Sequence, residues 1–189
     1  MRIIGGRFRG LALAPVGAGD AAAHLRPTTD RVRESMFNLL VNGTMGNCVA
    51  GARVLDLFAG TGALGLEALS RGAASVSFVE NGAKALALLR RNIALTRSEA
   101  DAQIIRVDAT CLGQNPGAPF DLVLLDPPYD QAMGERALGA ARAGGFIALG
   151  ACVMWEERLA PPRVPGLVQR DQRRYGDTVL TLLEAAPDA

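Results

Sequence analysis

Short apolar runs alternate with stretches of helical periodicity through most of the chain. Runs near 53–58, 75–79, 103–107, 120–125 and 145–153 read as strands, because each is dense in aliphatic residues and punctuated by Gly, Asp or Pro. Helical stretches near 63–71, 83–96 and 131–143 fall between them. This rhythm predicts an α/β fold built on a doubly wound, mostly parallel sheet. Upstream, Val32, Met36, Phe37 and Leu40 share one face of a helix that starts near Thr29 or Asp30, with Arg31 and Arg33 off that face. Residues 179–183 offer a last strand directly after Tyr175-Gly176-Asp177. No crossover helix precedes it, so it is expected antiparallel, in a terminal hairpin. Residues 1–13 alternate around Gly5-Gly6 and Gly10, which predicts a short N-terminal β-hairpin appendage. Its face carries Arg2, Arg7 and Arg9 and no acid, so these three are reasonable partners for phosphates. Residues 17–24 are small, lack periodicity and read as a loop.

Composition narrows the picture without deciding it. A chain of 189 residues, 49% of them hydrophobic, can bury one full core, so a single domain is expected, with a hairpin and loop over 1–25 and the core over 26–189. A net charge of +1 excludes an overall polycation but leaves room for a local basic surface. Cys48, Cys111 and Cys152 are scattered without metal-ligand spacing, and His24 is the single histidine. A reduced, metal-free, cytoplasmic and monomeric protein is the expectation. No apolar stretch reaches the ~20 residues of a membrane span, and the beginning of the chain lacks the apolar core of a secretory signal.

The candidate chemistry sits at the ends of the expected strands. Asp126-Pro127-Pro128-Tyr129 closes the run 120–125. An exocyclic amine of a nucleobase is a poor nucleophile because its lone pair is delocalised into the ring. The Asp126 carboxylate and the Pro127 carbonyl can both accept from such an amine, while the prolines fix the backbone and Tyr129 offers a stacking ring. A proline-stiffened strand end would use the same residues. Gly60-x-Gly62-x-x-Gly65 follows the strand at 53–58, and Glu80 closes the next strand at a position suited to a ribose diol. That pattern also fits a dinucleotide-dependent oxidoreductase. Asp56 tips the balance, because a carboxylate there repels a pyrophosphate and attracts a cationic amino acid moiety. S-adenosylmethionine carries such a moiety and no phosphate. Asp108, at the end of the strand near 103–107, suits an adenine amino group, although Asp is common at strand ends for capping reasons alone.

These residues resemble the S-adenosylmethionine-dependent methyltransferases that modify exocyclic amines. Arg2-Ile3-Ile4-Gly5-Gly6-Arg7-Phe8-Arg9-Gly10, Arg26-Pro27-Thr28-Thr29-Asp30-Arg31-Val32-Arg33-Glu34, and Ser70-Arg71-Gly72-Ala73 leading to Phe78-Val79-Glu80 narrow the likeness to the bacterial RsmD family. The resemblance runs from Arg2 to about Tyr129 and fades beyond. It implies a Rossmann-like sheet of seven strands and methylation of the exocyclic N2 amine of one guanine in 16S ribosomal RNA, free or in a partly assembled small subunit. Carried over, it implies that Asp56, Gly60 and Gly62 hold the methionine end of the cofactor, Glu80 the ribose, and Asp108 with Ala109 the adenine. Asp126, Pro127 and Tyr129 would hold the target base. The family uses the segment around Arg26 to Arg33 near cofactor and substrate, which brings in Thr29, also a natural helix cap, and Arg31 as an RNA contact. An N6-adenine methyltransferase of DNA or RNA shares the tetrapeptide chemistry, a nicotinamide-dependent oxidoreductase only the glycine loop.

Overall fold

The computed structural model describes residues 1–15, 29–128 and 132–187. Strands β1 (Arg53–Leu57), β2 (Ser75–Val79), β3 (Ala102–Ile105), β4 (Phe120–Leu125), β5 (Ile147–Glu157), β6 (Leu167–Tyr175) and β7 (Thr178–Ala185) form one sheet of order β3-β2-β1-β4-β5-β7-β6. Neighbouring strands from β3 through β5 are parallel. β7 runs antiparallel to both β5 and β6, as its lack of a crossover helix predicts. Helices α1 (Asp30–Asn42), α2 (Ala63–Ser70), α3 (Ala83–Thr96) and α4 (Met133–Ala143) complete the layers.

The pleat divides the core in two. Val54, Leu122 and Met154 point to the layer that holds Ile3, Phe37, Leu66, Leu89 and Ile93. Leu55, Val123 and Trp155 point the other way, onto Leu138, Ala141 and Phe146. With both faces covered, the central strands read as continuous apolar runs.

The N-terminal segment folds back as the expected hairpin: Arg2 bridges Ala12, the Ile3, Gly10 and Leu13 amides donate across it to the Leu11, Ile3 and Met1 carbonyls, and a 3-10 turn at Gly6–Phe8 joins the arms. Ile3 is buried in the core, because the Ile4 and Gly5 amides are drawn onto the Glu67 carboxylate of α2 at 2.7 and 2.8 Å. Three expectations need correction. The segment's arginine face is not without acid: Asp30 lies 3.5 Å from Arg2 and Asp101 lies 3.4 Å from Arg7. Both acids are distant in sequence.

Arg33 is fully buried rather than off the packed face of α1. Its guanidinium donates to the Asp30 carboxylate at 2.9 Å and to the Arg2 carbonyl, and faces Glu67 at 3.9 Å. Burial pulls its pKa down from the ordinary value, opposed by Glu67 and Asp30. Finally, Cys48 and Cys152 form a disulfide across 104 residues, with their Cα atoms 6.3 Å apart. The connector after α1 lies against β5, a juxtaposition that no local spacing reveals. Cys111 is free and exposed. Among the described residues, no helix is long and apolar enough to cross a membrane.

Candidate active site

In an open parallel sheet the carboxyl ends of the strands converge on a crevice where the strand order reverses. Here that point lies between β1 and β4, whose register pairs Leu57 with Leu125. The glycine loop that follows β1 and the Asp126-Pro127 pair that follows β4 therefore open side by side.

Three side chains hold the loop from below. Glu80, just past β2, accepts the Gly60 amide on Oε2 at 2.8 Å, and the Asn81 and Gly82 amides on Oε1 at 2.9 and 2.7 Å. Asp56 accepts the Gly65 amide at 2.9 Å, which satisfies an orphan donor in the first turn of α2. Asn92 of α3, fully buried, donates to the Thr61 carbonyl and accepts from Ala14, both at 2.8 Å. Asn92 thus ties the N-terminal segment to the loop. It was invisible in the sequence, where it is one polar residue on an otherwise amphipathic helix.

Gly62 is the residue before α2 and sits in the left-handed region at φ 79. A Cβ there would overlap Leu89 of α3, and one at Gly65 would overlap the Phe78 ring of β2. Gly65 therefore serves close helix-to-strand packing as its spacing suggests, and Gly62 serves the turn and the approach of α3. Phe58 also has a positive φ, 62, uncommon for a bulky residue and worth roughly 1–3 kcal/mol of strain. Its aromatic character within Asp56-Leu57-Phe58-Ala59-Gly60 was the available signal.

Burial drives the Asp56 carboxyl up to about 8, against the Gly65 amide and with the charges of Asp126 and Glu80 adding to the rise. This coupling shows three acids sharing one electronegative region. A carboxyl with a native value above its unfolded one holds its proton more tightly when folded, so the fold loses stability as pH climbs from the ordinary carboxyl range to about 8. Asp56→Asn keeps an acceptor for Gly65 and removes the titration. Melting temperature recorded from about pH 5 to about pH 9 should fall for the parent and flatten for the variant; equal slopes would assign the effect to another group.

At the next strand, Asp108 precedes a 3-10 turn at Ala109–Cys111, and its Oδ1 accepts from the Thr110 hydroxyl and amide at 2.7 and 2.8 Å. These bonds hold its carboxyl below the usual range. Oδ2 keeps an open lone pair among the described residues. Ala109 is buried behind it. Asp126 is half-buried and Pro127 buried, at the end of β4. Tyr129 lies outside the described residues. Thr29 caps α1, accepting the Val32 amide at 3.3 Å, and Arg9 and Arg31 are exposed.

Insertion of an antiparallel β7 between β5 and β6 departs from the all-parallel order of dinucleotide-binding sheets. Together with the acidic crevice and the Asp126-Pro127 pair, it defines a methyltransferase rather than an oxidoreductase. A family model described as conserved hypothetical protein 95 matches residues 1–184. The chain belongs to that family, the RsmD family. It is 37% identical over 168 residues to ribosomal RNA small subunit methyltransferase D of Escherichia coli, covering 87% of this chain and 79% of the relative. The Haemophilus influenzae protein of the same name is 35% identical over 167 residues, with 87% and 82% covered. The solved structure of yhhF from Escherichia coli superposes with a TM-score of 0.82 at 34% identity, over 98% of each chain.

Proposed function

We propose that this protein transfers a methyl group from S-adenosylmethionine to the exocyclic N2 amine of one guanine in 16S ribosomal RNA, in the cytoplasm and as a monomer. The observation that carries the reading is the acceptor pair Asp126 and Pro127 at the end of β4, beside a loop held rigid by Glu80, Asp56 and Asn92. The relatives named for small-subunit ribosomal RNA support the RNA class. The choice of guanine rests on the family resemblance, since adenine presents a similar amine to the same acceptors.

The site residues fit the cofactor. S-adenosylmethionine, when bound, supplies an electrophilic methyl on a sulfonium. Glu80 retains one lone pair on Oε2 for a ribose hydroxyl, and Asp108 retains Oδ2 for an adenine amine, with Ala109 behind it. Gly60 and Gly62 leave the loop backbone bare toward the methionine end. Asp56 is sealed beneath the loop, and a cation bound above it would favour its ionised form and offset the burial that pushes the carboxyl up. Thr29 is the cap of α1, and the resemblance alone brings it to the cofactor.

On the substrate side, Asp126 and the Pro127 carbonyl accept from the target amine, return its lone pair to nitrogen and aim it at the methyl. Tyr129 stacks on the flipped base. The proton leaves after transfer, and no covalent enzyme intermediate is required. Alignment alone can supply roughly 7–11 kcal/mol of the barrier. Arg2, Arg7, Arg9 and Arg31 contact phosphates; the exposed ion pairs of Arg2 and Arg7 are weak enough to exchange for them. The substrate is that RNA, free or within a partly assembled small subunit.

A labelled methyl-transfer assay on such particles, followed by nucleoside analysis, should return N2-methylguanosine. Label in adenosine would overturn the base assignment, and no label the activity.

A further inference from the structure

β6 is the edge strand on the far side of the sheet from the cofactor crevice, and it carries Arg170, Arg173 and Arg174. Because β6 is antiparallel to β7, and β7 to β5, β6 runs in the same direction as the parallel strands. Its last residue, Tyr175, therefore lies at the same edge of the sheet as Asp126. Three strand spacings, roughly 14 Å, separate β6 from β4. Between β6 and the outer face of α1 lies a pocket of about 450 Å³, lined by Asn38, Asn42 and Thr44 on one side and Asp171, Arg173 and Tyr175 on the other.

We infer that this pocket holds a nucleotide of the RNA substrate flanking the target base; the inference rests on the RNA reading above. Asp171 grips the Arg173 guanidinium at two points, Nε at 3.0 Å and Nη2 at 3.1 Å. Asp171 also accepts the Gln172 amide at 2.7 Å, so its charge is engaged inside the protein. The guanidinium is thereby fixed in orientation, and its Nη1 has no partner among the described residues. A preoriented guanidinium suits a phosphate or a base face. Tyr175 packs against the core on one side and lends the pocket a ring on which a base can stack. Asn38 and Asn42, one helical turn apart on α1, present amide donors and acceptors, the groups that read base edges. A cation, a ring and two amides in one concavity match an unpaired nucleotide. A cationic ligand would meet no uncommitted carboxylate there.

The full-length protein carrying Arg173→Gln and Tyr175→Leu tests this against Arg174→Gln, whose side chain points to the opposite face of β6. Affinity for protein-free 16S RNA, affinity for S-adenosylmethionine and methyl transfer are measured separately. The double variant should bind RNA about tenfold more weakly, about 1.4 kcal/mol. Its cofactor affinity should match the parent and its kcat/KM should fall with the RNA affinity, while Arg174→Gln stays within about twofold throughout. RNA affinity unchanged in the double variant overturns the proposal. A loss seen with assembled particles but not with naked RNA also overturns it, in favour of a ribosomal protein. Parent protein that binds RNA but methylates none sinks the proposed function while the affinity comparison still judges the pocket.

Discussion

Glu67→Ala should cost about 3–5 kcal/mol of folding stability, the range expected when one member of a buried charge pair is removed. Glu67 is fully buried in the middle of α2. Its carboxylate accepts the Ile4 and Gly5 amides and, at 2.7 Å, Nε of Arg71, and it faces the buried Arg33 at 3.9 Å. Truncation would strand two backbone donors and remove one of the carboxylates that face Arg33, which is wholly out of water and donates to Asp30 at 2.9 Å. Glu67→Gln keeps the volume and one acceptor and should cost less. Urea unfolding measures the difference, and hydrogen exchange at Ile4 and Gly5 locates it. An alanine variant within about 1 kcal/mol of the parent, the ordinary effect of a point mutation, would mean that water takes over the carboxylate's role.

Glu67 also shows what the sequence reveals and what it hides. A lone acid in Ala63-Leu64-Gly65-Leu66-Glu67-Ala68-Leu69-Ser70 is conspicuous, but the two amides it accepts, of Ile4 and Gly5, are more than sixty residues away. The central strands were legible because burial on both faces forces continuous apolar runs, and their ends because Gly, Asp and Pro must appear where pairing stops. The acidic set Asp56, Glu80, Asp108 and Asp126 was legible for the same reason: each stands at a strand end. β6 was not. Its exposed residues leave Gln169 to Arg174 without an apolar face, and edge strands use charge of this kind to discourage pairing with other chains. Arg33 and the Cys48–Cys152 pair were hidden by a different cause, since helix periodicity describes one helix and says nothing of what packs over it. Position alone suggests that Asp56 faces a cation, whereas its carboxylate is bonded to the Gly65 amide beneath the loop, a partner nine residues on that strand patterning does not reveal.

Asp126→Ala should lower kcat by about 10²–10³-fold, the loss typical when one preorganised electrostatic group is removed from a reacting centre. Cofactor affinity should hold. Asp126 stands at the end of β4, across the register from the loop, and the cofactor's predicted contacts come from β1, β2 and β3. Its charge is also one of the groups that push the Asp56 carboxyl up, so removing it favours the ionised form of Asp56 and, with it, a cationic ligand. Asp126→Asn separates two origins of the effect. If hydrogen-bond acceptance localises the amine lone pair, the remaining amide oxygen should restore part of the rate. If the negative charge does so, Asn should be as slow as Ala, since its own NH2 donors face the substrate's. Single-turnover methylation with saturating cofactor reads both variants directly. Transfer by Asp126→Ala at near the parent rate would leave Asp126 a turn-closing residue and move the polarising role to the Pro127 carbonyl, which no side-chain substitution removes.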